Sequence, residues 1–129
     1  MKPETREWVQ FAEDDFQAAC DLMRRKKHPL FNNVGFNCQQ CVEKYLKARA
    51  VEAGQPVIKT HDLVTLIKKV LPVEPLWSAF LTTAQHLTSY AVAFRYPGHV
   101  ATRQDARKAL ADCRAIRKEV RASLGLPKK

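Results

Sequence analysis

Gln40, Lys44 and Lys47 recur at four- and three-residue spacing, so on a helix they share a side, opposite Cys38, Cys41, Val42 and Tyr45. A lysine ammonium meets phosphate as a mobile point charge, and a glutamine amide can hydrogen-bond a base or a partner's backbone. The same strip also reads as plain helix surface. Glu43 and Lys47 form an i, i+4 pair in the favourable order, worth about 0.3 kcal/mol. His61 and His99 carry imidazoles, the side-chain type most often used for proton transfer. Each has a structural alternative: His61 lies between two helix-capping residues, Thr60 and Asp62, and His99 falls in a turn. Arg95 and Tyr96 stand at a helix end, where an arginine bonds the last carbonyls and a tyrosine fills a core edge. His28 and His86 have no evident partner.

The four cysteines, Cys20, Cys38, Cys41 and Cys113, invite a metal or disulfide reading. Spacing argues against it. All four fall on core-facing positions of helical patterns, where cysteine behaves as a small apolar residue, and Gln39-Gln40 between Cys38 and Cys41 offers no turn of a zinc knuckle. No metal or cofactor is expected. The net charge of +9 points instead to anionic partners, with much of the excess late in the chain, from Arg103 through Arg107, Arg114 and Lys118 to Lys129. Such a run also reads as a solvated face.

Helices are needed to position these residues, and the chain predicts them throughout. An amphipathic pattern from Thr5 to Lys26 contains Trp8, Phe11, Ala12, Phe16 and Ala19, and His28-Pro29 closes it. A second helix starts at Asn32 or Asn33 as cap and ends at Ala53-Gly54. A short third helix follows Thr60 or Asp62, a fourth spans Leu76 to Phe94, and Pro97-Gly98 breaks the chain before a fifth, from Thr102 to Gly125. Thr102 and Asp105 resemble a capping box. The expectation is one all-α domain over residues 1–129, its core at about 5–124 with a basic C-terminal tail, folded as an antiparallel up-and-down bundle of four main helices plus one shorter helix. With a charged N-terminus and no apolar run of membrane length, the expected location is the cytoplasm, away from membranes.

Three separated pieces resemble the HEPN domain family. Trp8, Ala12, Asp15 and Ala18-Ala19 match its first helix; Gln39-Gln40-Cys41-Val42-Glu43-Lys44-Tyr45-Leu46-Lys47-Ala48 is similar to its central Gln-Gln-Ala-x-Glu-Lys-x-Leu-Lys-Ala pattern; Thr60-His61-Asp62-Leu63 and Arg95-Tyr96-Pro97 supply the later marks. The resemblance implies a bundle that binds a nucleotide or RNA, assembles as a homodimer, and partners a minimal nucleotidyltransferase in a toxin-antitoxin-like system. Gln40, Lys44, Lys47, His61 and Tyr96 would then line a nucleotide or phosphate site. Many relatives are metal-independent RNases with an Arg, four to six residues, then a His. Here Arg95 and His99 occupy the matching place and are the catalytic residues the resemblance implies, with only three residues between them. Arg24 and His28 share that spacing but close the first helix. A purely structural assembly module is the remaining alternative.

Overall fold

The computed structural model describes residues 1–128. Among them there are five α-helices and no strand: α1 Pro3–Arg24, α2 Phe31–Glu52, α3 Leu63–Val70, α4 Leu81–Ala93 and α5 Arg103–Ser123. The all-α expectation holds. The direction alternates along the four long elements. Lys2 and Thr5 at the start of α1 bond Glu52 at the end of α2, and the Tyr90 hydroxyl near the end of α4 donates to the carbonyl of Phe31 at the start of α2. Asn32 meets Ala101 and Arg49 meets Ser123, so α2 and α5 run the same way.

Helix α2 is the hub, touching each of the other four. Its sequence explains why. Val34, Cys38, Cys41, Val42, Tyr45 and Ala48 are all 0% exposed, and even its polar Gln39, Glu43 and Lys47 are buried. A helix apolar on one stripe rests on one neighbour, whereas one buried nearly all round must sit between several. Gly35 sets the approach of α4: a Cβ there would lie 1.6 Å from the Tyr90 ring, so only glycine lets that ring seat against the α2 backbone.

A polar cluster ties α1, α2 and α5 together within this packing. Arg117 grips both Glu13 oxygens, at 2.7 and 2.8 Å, and the Tyr45 hydroxyl donates to the same carboxylate while accepting from Arg121 at 2.9 Å. Burial alone would raise the Glu13 carboxyl; the bonds from Arg117 and Tyr45 outweigh it and hold the group below its ordinary range.

Several boundaries depart from expectation. Helix α1 stops at Arg24, with His28 in the left-handed region at φ 50°. Neither Asn32 nor Asn33 caps α2, which begins at Phe31 without a side-chain cap. The expected fourth helix opens as a 3-10 segment, Pro75–Phe80. Three residues per turn put Trp77 and Phe80 on the same side, both against the core, and throw Leu76 outward to 86% exposure. Phe11, expected on the inner stripe of α1, is likewise exposed. Asp62 caps α3 by accepting from the Val64 amide, and the Thr102–Asp105 capping box of α5 is complete. All four cysteines are free and buried. Among the described residues no helix is long and apolar enough to cross a membrane, and no group of His, Cys, Asp or Glu is arranged to hold a metal ion. Lys129, the end of the expected basic tail, lies outside the described residues.

Candidate functional site

The first half of α2, the residues entering α3 and the last turns of α4 converge on a groove of about 460 Å³, a volume typical of small-ligand sites. Gln39, Gln40, His61, Asp62 and Arg95 bring polar atoms to it, the Asp62 carboxylate being taken up by the Val64 amide and the Thr65 hydroxyl, and Phe36 supplies an aromatic wall. The local sequence dictates this placement. Phe36, Gln39 and Gln40 are three and four residues apart on α2 and share a face. His61 is held just ahead of α3 by the cap at Asp62, and Arg95 follows α4 where Phe94 ends the helix.

Glu43 organises the polar wall from beneath. Its carboxylate, 3% exposed, accepts from Lys47 at 2.9 Å and Gln39 at 3.2 Å, and lies 3.0 Å from Nδ1 of His61. Gln39 also donates to the His61 carbonyl at 2.9 Å and accepts from Gln40 at 2.9 Å. Burial would raise the Glu43 carboxyl, but the bonds from Lys47 and His61 dominate and keep it low, hence ionised. A carboxylate only accepts, so Nδ1 carries a proton, and in the neutral tautomer Nε2 would be the acceptor. The imidazole is 84% exposed, fixed at one nitrogen and open at the other.

Arg95 is exposed, its guanidinium 5.5 Å from the centre of the Phe36 ring, and has no ion pair among the described residues. Stacking on the ring orients the planar fork without neutralising it. Thr88 adds a buried hydroxyl oxygen that has no hydrogen-bond partner among the described residues. The groove thus combines a positive fork, an oriented imidazole, a carboxamide and an aromatic face, a set suited to a phosphate carrying a base or sugar.

The expected site residues separate. Gln40, His61 and Arg95 come together. Lys44 is half-buried and paired with Asp15 of α1 at 2.5 Å, and Lys47 is buried between Glu43 and the Trp8 ring, 5.5 Å from its centre. Neither lysine lines the groove. Tyr96 points outward at 64% exposure, and His99 lies in the following turn, also outside the lining. That turn is tied to α2 by Asn32, whose amide donates to the carbonyls of Phe94 at 2.9 Å and His99 at 3.2 Å and whose oxygen accepts from the Ala101 amide at 2.8 Å. Sequence reasoning gave Asn32 to a helix cap, read Glu43 only as the surface i, i+4 partner of Lys47, a pair that is in fact buried, and left Gln39, Phe36 and Thr88 unassigned. The Gln-Gln-x-x-Glu spacing held a signal for Gln39 and Glu43; nothing local marked Phe36 or Thr88.

An all-helical bundle with a polar groove on its hub helix defines the class, and comparison with known proteins narrows it. The HEPN domain profile matches residues 5–123, so the chain belongs to the HEPN family. Among solved structures, the crystal structure of TT1696 from Thermus thermophilus is similar, with a TM-score of 0.81 and 23% identity over 94% of this chain and 98% of that one. At that identity the likeness is one of fold. No curated protein matches the sequence.

Proposed function

We propose that this HEPN protein binds a nucleotide or RNA phosphate in the groove between α2, α3 and α4, acting as a homodimer with a minimal nucleotidyltransferase partner in a toxin-antitoxin-like pair. Membership of the family supports a nucleotide- or RNA-related function in general. The observation that carries the site is the convergence of Arg95, His61 and Gln40 on one groove with Arg95 unneutralised among the described residues. Arg95 supplies the bidentate contact to phosphate, Gln40 reads polar edges from the position Gln39 holds it in, and Phe36 takes a ring. Lys44 and Lys47 hold the wall in place through Asp15 and Glu43. Titration calorimetry with nucleoside mono- to triphosphates tests it: the His61→Ala/Arg95→Ala double variant should lose at least about tenfold in affinity, since charge-assisted bonds contribute about 1.5–3 kcal/mol each. Unchanged affinity rejects the site. Co-expression with a minimal nucleotidyltransferase, followed by size-exclusion chromatography, tests the partner and the dimer: separate elution rejects the partner, and elution of this chain at the monomer volume rejects the dimer.

Metal-independent RNA cleavage is a second reading, favoured by the carboxylate-oriented imidazole beside Arg95. In it a histidine takes the proton of an RNA 2′-hydroxyl, the 2′-oxygen bonds to phosphorus, and the 5′-oxygen leaves with a proton, giving a cyclic phosphate. Arg95 steadies the charge that builds on the phosphate oxygens. His61 fits this role through its free Nε2; the Arg95–His99 pairing would serve it from the turn. Cleavage in chelator by the purified protein, lost in His61→Ala but kept in His99→Ala, assigns the acid-base role to His61. The opposite pattern assigns it to His99, and no cleavage rejects the reading.

A further inference from the structure

A second basic surface lies between α1 and α5, sharing no residue with the groove above. Arg103, Arg107, Arg114 and Lys118 fall within an arc of about 60° on α5 and span about 22 Å of its axis, at 100° and 1.5 Å per residue. They line two adjoining cavities of about 440 and 510 Å³ that meet at Arg114. No acidic residue is among those that line either cavity.

The arrangement is electrostatically costly for the bundle by itself. Arg103 with Arg107, and Arg114 with Lys118, are i, i+4 pairs of like charge, which destabilise a helix rather than support it. None of the four has an ion pair among the described residues, although α5 also carries acids: Asp105 closes the capping box with Thr102, Asp112 pairs with Lys108, and Glu119 lines a different hollow, beside Trp77. Against this stands Arg117 on the same helix, fully engaged by Glu13. Stacking contributes some order: the Arg114 guanidinium lies 5.9 Å from the centre of the Phe16 ring, and Arg103 lies 5.0 Å from that of Phe31.

We propose that this surface binds the backbone of a single-stranded RNA, with Arg103, Arg107, Arg114 and Lys118 meeting successive phosphates. Charge complementarity and length select this occupant. A row of cations along about four helical turns fits a linear polymer of evenly repeated negative charge, where a mononucleotide would engage one or two of them. The arginines present planar forks matched to phosphate, and those stacked on Phe16 and Phe31 are oriented before binding. The surface confers affinity without sequence preference, because contacts to phosphate carry no base information.

The experiment measures anisotropy of a labelled single-stranded RNA oligonucleotide against salt, for the wild-type chain and for the Arg107→Ala/Arg114→Ala/Lys118→Ala variant. Each lost phosphate contact lowers the slope of log K against log salt by about 0.7, so the triple variant should lose about 2 and bind at least about tenfold more weakly at low salt. The charge-retaining Arg107→Lys/Arg114→Lys variant should keep the wild-type slope. All three replaced side chains are exposed, and thermal melting checks that the variant stays folded. Wild-type affinity and slope in the triple variant would overturn the proposal. So would a poly-glutamate peptide that binds the wild-type surface as tightly as RNA, which would make it a docking face for acidic protein. Mononucleotide binding separates the two sites: it should persist in the triple variant and fall in His61→Ala/Arg95→Ala.

Discussion

Two sets of cations on this bundle had the same appearance in the sequence and meet opposite fates. On α2, Lys44 and Lys47 are paired with Asp15 and Glu43 inside the protein; on α5, Arg103, Arg107, Arg114 and Lys118 have no carboxylate partner among the described residues. The hub position of α2 explains the difference. A helix surrounded by neighbours must either neutralise its charges or push them out of the way, because an unpaired ion in a poorly solvated place costs several kcal/mol, whereas α5 keeps one face to water and can leave charge uncommitted. The charges available to a ligand are therefore those the fold did not need. In the α2 groove that is Arg95, and on α5 it is the outer row.

The largest test of this contrast lies within α5 itself. Arg117→Ala strips the Glu13 carboxylate of its bidentate partner and should cost about 3 kcal/mol of unfolding free energy, while Arg114→Ala, three residues earlier, should change stability by less than about 0.5 kcal/mol in the same urea titration. Equal costs would erase the distinction between committed and free arginines. Next in size is Gly35→Ala. The gain of about 1 kcal/mol in helix propensity should be overwhelmed by displacement of the Tyr90 ring, leaving the variant about 1–3 kcal/mol less stable by thermal melting.

Asn32→Ala probes how the turn after Arg95 is held. Loss of its three bonds should cost about 1–2 kcal/mol and accelerate hydrogen exchange at the Ala101 amide, with α1 amides unaffected. The smallest effect concerns pH. Glu13 and Glu43 both have folded carboxyls below their unfolded value, so the stability they confer is complete above the unfolded carboxylate pKa of about 4.3 and is lost as pH falls through the lower folded values. Replacing Glu43 by Gln, which lowers stability at every pH by leaving the buried Lys47 without its carboxylate, should also flatten that acid limb of the melting curve in part, and an unchanged limb would show that Glu43 does not shape it.

How far the sequence could be read follows the range of the interactions involved. Helical periods, the Pro and Gly breaks, the Thr102–Asp105 box and the core-facing cysteines depend on residues within one or two turns of each other, and all were visible there. The central Gln-Gln-x-x-Glu-Lys run was visible as well, and with it the family. Its chemistry was harder: the period placed Lys44 and Lys47 on a polar strip but could not show that α1 would bring Asp15 and Trp8 to meet them. Asn32 looked like a cap because its partners, Phe94, His99 and Ala101, lie more than sixty residues away.

The sequence by itself determined an all-helical chain, most helix ends, the strongly positive charge and the HEPN pattern, since each is a matter of local spacing or simple composition. Tertiary structure alone decided which charges remain free. Ion pairing depends on distances of a few ångströms between residues from different helices, and those distances exist only once α2 is enclosed. The groove that joins Arg95 to His61, and the row left open along α5, are both consequences of that enclosure.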